Sequence, residues 1–148
     1  TSSSEVNVFG LGFDSTRSHG IWTFLDPQLS VTVIARSPNN AEHCERVERE
    51  NSEILSASDS IHRVDINKFS NMLATLVDLS RKYQTYGDVA LVPDGPKPMV
   101  AAMSLVPYFL NEYGVYCWHV GHVKPDDYEP VDIDFSGQFF GFGIFEDE

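Results

Sequence analysis

The chain has 148 residues, of which 42% are hydrophobic and 22% charged. That is enough apolar sequence for the core of one ordinary domain, and it excludes an intrinsically disordered chain. Acidic residues outnumber basic ones 22 to 10, a formal charge of -12, and a surface of that sign repels a phosphodiester backbone, so a long nucleic-acid partner is disfavoured.

Residues 1–4 (TSSS) lack an initiator Met and read as an expression scar or linker, or as the edge of an excised domain. Residues 5–148 are expected to form a single domain. Residues 5–11 (EVNVFGL) read as a buried strand, and 12–19 (GFDSTRSH) as a polar loop rich in hydroxyls. A short helix through Ile21, Trp22, Phe24 and Leu25 then stops at Asp26-Pro27. Residues 31–35 (VTVIA) are a β-branched second strand. The charged stretch 40–55 reads as a helix with Cys44, Val47, Ile54 and Leu55 inward. Residues 60–66 (SIHRVDI) alternate as a third strand, and Asn67 is placed to cap a long helix that runs to about Tyr86 and ends at Gly87. Residues 88–92 (DVALV) are a fourth strand, 97–113 a very apolar helix stopped by Gly114, and 115–120 (VYCWHV) a fifth strand. The tail, 128–145, reads as one or two further strands.

Strands alternating with helices predict βαβ units and a mostly parallel sheet. The near-continuous apolar strands imply that both faces are covered. The expected fold is therefore a Rossmann-like, doubly wound, five-stranded α/β domain with a C-terminal β extension. The preferred strand order is 3-2-1-4-5, with 2-1-3-4-5 as the alternative.

In such sheets ligands sit beyond the carboxyl ends of the strands, where the order reverses. For 3-2-1-4-5 that point lies between strands one and four, which end in the two most unusual loops of the chain. In the first, Gly10 and Gly12 permit close backbone approach, and Ser15, Thr16 and Ser18 bring hydroxyls. Arg17 brings a planar fork of donors suited to phosphate, and Asp14 can hold a ribose hydroxyl or simply cap the next helix. The bland alternative is a tight strand-to-helix turn. The nicotinamide-cofactor fingerprint GxGxxG fails at Ser15, and no Walker A lysine follows, so no cofactor is implied. In the second loop, Asp94-Gly95-Pro96-Lys97-Pro98-Met99, Gly95 precedes a helix whose start carries Lys97, where the helix dipole favours an anion. An ordinary proline-led helix start is the alternative.

Residues 88–110, with the stretch Gly-Pro-Lys-Pro-Met, resemble the corresponding segment of CRISPR-associated Rossmann fold domains, which often carry a Gly-Thr-Lys-Pro-Met-like run after the fourth strand. The resemblance is specific over roughly 20 residues and topological over the first 120; related sensor domains of cyclic-oligonucleotide defence systems fit as well. Those domains bind cyclic oligonucleotides, usually as dimers, and often switch on a fused effector. The resemblance implies that Gly95, Lys97 and the loop after strand one contact the ligand. Pro96, standing where a hydroxyl residue is common, removes one phosphate contact.

The candidate ligand-binding set is thus Gly10, Gly12, Phe13, Asp14, Ser15, Thr16, Arg17, Arg36, Asp94, Gly95, Lys97 and Met99. Arg36, after strand two, can instead form a surface salt bridge. Cys117, His119 and His122 form a C-x-H-x-x-H run, but strand alternation splits them between faces and no second ligand pair exists, so no metal is expected. His119 with Asp94 can in principle do acid–base chemistry, unsupported by any known catalytic motif.

Two cysteines make no disulfide framework, no apolar run approaches 18 residues, and no signal peptide is visible, so a cytoplasmic protein without a membrane span is expected. The leading expectation is a sensor of a small anionic ligand, a nucleotide or cyclic oligonucleotide, working as a homodimer that regulates a fused or separate effector. The alternatives are a small nucleotide-acting enzyme, a phosphodiesterase or transferase, and a ligand-free interaction module built on the glycine-spaced phenylalanines of the tail.

Overall fold

A computed structural model of the chain describes residues 5–110 and 114–120. Strands β1 (Glu5–Gly10), β2 (Leu29–Arg36), β3 (Ser60–Asp65), β4 (Asp88–Pro93) and β5 (Val115–Cys117) form one sheet in the order β3-β2-β1-β4-β5, and every neighbouring pair is parallel. The fold is α/β and Rossmann-like, in the expected strand order. The tail strands expected over 128–145, and His122, lie outside the described residues.

Alternation along the strands sorts their side chains onto two faces. Val6, Val8, Val31, Val33, Val89 and Leu91 meet α4 (Phe69–Tyr83) and α5 (Lys97–Phe109) through Met72, Leu76, Met99, Met103 and Val106. On the other face Phe9, Leu11, Ile34 and Val92 meet Trp22 of α1 (Ser15–Leu25), Val47 of α2 (Ala41–Glu50) and Ile54 of α3 (Ser52–Ala57). The ring of Phe9 meets that of Trp22 edge-on, with centroids 5.6 Å apart. Each face is covered, which explains why these strands read as apolar runs.

Several boundaries differ from the sequence reading, each for a local reason. The expected loop 12–19 is mostly helix: the Asp14 carboxylate accepts the Arg17 backbone N–H at 3.1 Å, so α1 starts at Ser15. The single helix expected over 40–55 breaks at Asn51, whose Nδ2 turns back onto the Val47 carbonyl at 2.8 Å. Asn67 does not cap α4. Asp65 takes that turn by accepting the Asn67 backbone N–H at 2.9 Å, and the helix begins at Phe69. Helices α4 and α5 end at Tyr83 and Phe109, earlier than expected, and β5 is only three residues long.

The candidate site at the switch point

Because β1 and β4 are adjacent and parallel, with Gly10 opposite Pro93, their two following loops emerge side by side at one edge of the sheet. A hydrogen-bonded network joins them. The Asp94 side chain is wholly buried, yet its carboxylate is satisfied twice. Arg17 donates to Oδ1 from Nε at 2.7 Å and also from Nη2, and Ser18 Oγ donates to Oδ2 at 2.7 Å. Ser18 Oγ in turn accepts the Gly12 backbone N–H at 3.3 Å. Burying a carboxylate is costly unless it is paired and hydrogen-bonded, and here it is both. The result is a rigid seam between the end of β1, the first turn of α1 and the end of β4.

The glycines serve this seam. A Cβ at Gly12 would lie 2.3 Å from the Asp94 carbonyl oxygen, so only glycine lets the strands' ends close up. Gly10 and Gly95 flank the Met99 sulfur, which added Cβ atoms would meet at 2.8 and 2.6 Å. Met99 is fully buried, 0% exposed, and works as a wedge beneath the loops rather than at their surface.

Above the seam opens a cavity of about 660 Å³ lined by Phe13, Asp14, Arg17, Lys97, Val100 and Ala101 with the Asp94–Pro96 backbone turn. Lys97 is exposed at the first position of α5, where its ammonium and the helix dipole act on an anion together, although Pro96 and Pro98 bring no N–H to this helix start. The Arg17 side chain is 33% exposed and lines the cavity while it holds Asp94. Phe13 is 45% exposed, and its ring rests on His43 of α2 with centroids 4.7 Å apart. A cation at a helix start, a half-open aromatic ring and an apolar wall from α5 suit a ligand with an anionic group joined to a flat ring.

Of the residues singled out in sequence, Phe13, Asp14, Arg17, Asp94, Gly95 and Lys97 come together around this cavity. Gly10, Gly12 and Met99 pack beneath it, and Ser15 and Thr16 sit in the first turn of α1 without lining it. Arg36 lies elsewhere. It pairs with Glu48, which also accepts Arg63 Nη2 at 2.6 Å, beside a separate cavity of about 350 Å³ at the ends of β2 and β3. Burial alone would push the Glu48 carboxyl up, but the hydrogen bonds from Arg63 and Arg36 outweigh it and hold the group below its ordinary range. Ser18 belongs to the network though not to the candidate set; the sequence offers its hydroxyl beside those of Ser15 and Thr16, but not its burial against Asp94. Among the described residues no group of three or more His, Cys, Asp or Glu is placed to hold a metal ion, and no helix is long and apolar enough to cross a membrane.

No protein-family model matches the chain, and comparison with curated proteins finds no match.

Proposed function

We propose that this domain senses a small anionic ligand of the nucleotide class, a nucleotide or cyclic oligonucleotide, in the cavity between the Phe13–Arg17 segment and the Asp94–Lys97 turn, and that it regulates an effector in defence signalling. The observation that carries the reading is the meeting of Lys97 at a helix start with the open ring of Phe13 at the switch point of a parallel sheet. The phosphate goes to Lys97 at the start of α5; the base goes to Phe13 and the α5 wall. The resemblance of residues 88–110 to CRISPR-associated Rossmann fold domains supports the same ligand class and a two-fold homodimer, whose interface would be isologous.

Calorimetric titration with nucleoside monophosphates and with cyclic di-, tri-, tetra- and hexanucleotides tests the ligand. Saturable binding by at least one is expected, and heat-free titrations across the panel would end the proposal. Light scattering over a range of protein concentrations tests the homodimer.

A further inference from the structure

Strand β3 is an outer strand of the sheet, hydrogen-bonded to β2 on one side only among the described residues. Just past its end, the Ile66 backbone N–H donates to the Arg36 carbonyl of β2 at 2.9 Å. Parallel pairing turns alternate residues of a strand to the same neighbour. Ser60, His62 and Val64 therefore serve β2, and the N–H and C=O groups of Ile61, Arg63 and Asp65 point to the open edge. Such a row is a template for another strand, and proteins that leave one open usually blunt it with charge. β3 does carry Arg63, but Arg63 is already paired with Glu48 at 2.6 Å, and Glu48 also holds Arg36. Two guanidiniums on one carboxylate leave a single net positive charge beside the edge.

The order of residues along the edge decides what can pair with it. Antiparallel pairing of β3 with its own copy needs a two-fold axis at residue 61, 62 or 63, and the cross-strand neighbours choose between these. An axis at 62 sets Asp59 opposite the partner's Asp65, and an axis at 63 sets Arg63 opposite the partner's Arg63. Both oppose like charges. An axis at 61 sets Ile61 opposite the partner's Ile61 and Arg63 opposite the partner's Asp59, twice over by symmetry. Asp59 and Arg63 are exposed, and Asp59 is anchored at the start of β3 by accepting the Ser30 backbone N–H at 2.8 Å. Its carboxylate matches the net positive charge of the Arg36–Glu48–Arg63 clamp. On the α4 face the same register sets His62 opposite the partner's Ser60. Within one chain Ser60 Oγ lies 3.3 Å from His62 Nε2 and 3.1 Å from Tyr83 Oη. Burial, and then the charge of Lys82, push the His62 imidazole below its ordinary pKa, so these polar groups meet uncharged at neutral pH.

We propose that the free edge of β3 is an interaction surface for a second copy of this chain, paired antiparallel about a two-fold axis at Ile61 so that two five-stranded sheets run on as one. Main-chain hydrogen bonds supply the contact, the Ile61 pair closes its centre, and the two Arg63–Asp59 pairs fix its register. Strand β2 separates this edge from β1 and the switch point, so the pairing is independent of what the cavity there binds.

Sedimentation velocity of the full chain over a range of concentrations reads the assembly, and a reversible dimer is expected. Asp59→Arg sets like charges opposite each other twice and should weaken that dimer about tenfold or more. Glu53→Arg makes the same change of charge on a carboxylate turned to His19 of α1, and should not. Ile61→Cys tests the register. Residues directly opposite in a hydrogen-bonded antiparallel pair lie about 5.5 Å apart at Cα, within reach of a disulfide. Mild oxidation should therefore give a covalent dimer that the parent, with Cys44 and Cys117, does not give. Melting curves check that each variant is folded; should Asp59→Arg not fold, the cross-link alone decides. A monomer at every concentration, a dimer indifferent to Asp59→Arg, or an Ile61→Cys protein that forms no cross-link overturns the proposal. None of these outcomes alters the ligand titrations, so the reading of the switch-point cavity stands or falls separately.

Discussion

Arg17 and Asp94, 77 positions apart in the chain, hold each other across the switch point, with Arg17 Nε donating to Asp94 Oδ1 at 2.7 Å. Asp94 is the wholly buried partner and Arg17 the partly exposed one. Removing the arginine therefore strands a buried carboxylate with, among the described residues, only the Ser18 hydroxyl. Arg17→Ala is expected to destabilise the fold by about 1.5–3 kcal/mol, the usual worth of a hydrogen bond to a charged group. Arg17→Lys, which keeps the charge but loses the fork, should fall between. Urea denaturation of the three proteins at neutral pH measures this, and equal midpoints would deny the seam its structural role.

Lys97 should behave in the opposite way. It is exposed, makes no ion pair among the described residues, and stands where its charge opposes the helix dipole. Lys97→Ala is expected to leave the melting temperature nearly unchanged. Its cost falls on ligand affinity, about tenfold to hundredfold if the charge-assisted hydrogen bond from the ammonium is worth roughly 1.5–3 kcal/mol. Lys124→Ala, outside both loops, serves as the control. A large stability loss without an affinity loss would make Lys97 a structural residue.

The two glycines of the α1 region separate close approach from mere conformational freedom. Gly12→Ala drives a methyl group into the Asp94 backbone oxygen at 2.3 Å and its carboxylate at 2.7 Å, and should cost about 1–3 kcal/mol as overpacking against rigid neighbours. Gly20 lies inside α1, and an added Cβ there meets nothing within 4 Å. Gly20→Ala should stabilise the protein by about 0.5–1 kcal/mol through helix propensity alone. Thermal melts of both variants check the contrast in sign.

Glu48 links stability to pH. Its carboxyl is held below the ordinary value when folded, by hydrogen bonds from Arg63 and Arg36 that outweigh burial. The clamp therefore stabilises the fold fully above the unfolded pKa of about 4.3, and that contribution is lost as pH falls through the lower folded value. Glu48→Gln should be less stable than the parent at pH 7, with the difference shrinking as the solution is acidified through pH ~4. Denaturation midpoints of both proteins between pH 7 and pH 3 follow this, and a constant gap would place the clamp's contribution in packing instead.

Much of the architecture was legible in one dimension. Valine-rich strands at 31–35 and 88–92 alternating with helical periods dictate a covered parallel sheet, and chain connectivity then leaves few strand orders. Gly-Pro-Lys-Pro announces a helix start with a cation on it, because proline tolerates the first turn and lysine's charge is independent of fold. These are local properties of backbone and side chain. The roles within the site are not local. Asp94 reads as a loop residue until β1 and β4 pair and bury it beneath Arg17 and Ser18. Met99 reads as part of a ligand loop until Gly10 and Gly95 close over its sulfur. Arg36 is drawn off by Glu48, whose helix position cannot be known before α2 docks, and the same docking brings His43 onto Phe13. A carboxylate's fate, buried and paired or open to a ligand, depends on which distant groups arrive within about 3 Å, and only the packing of the sheet and its helices decides that.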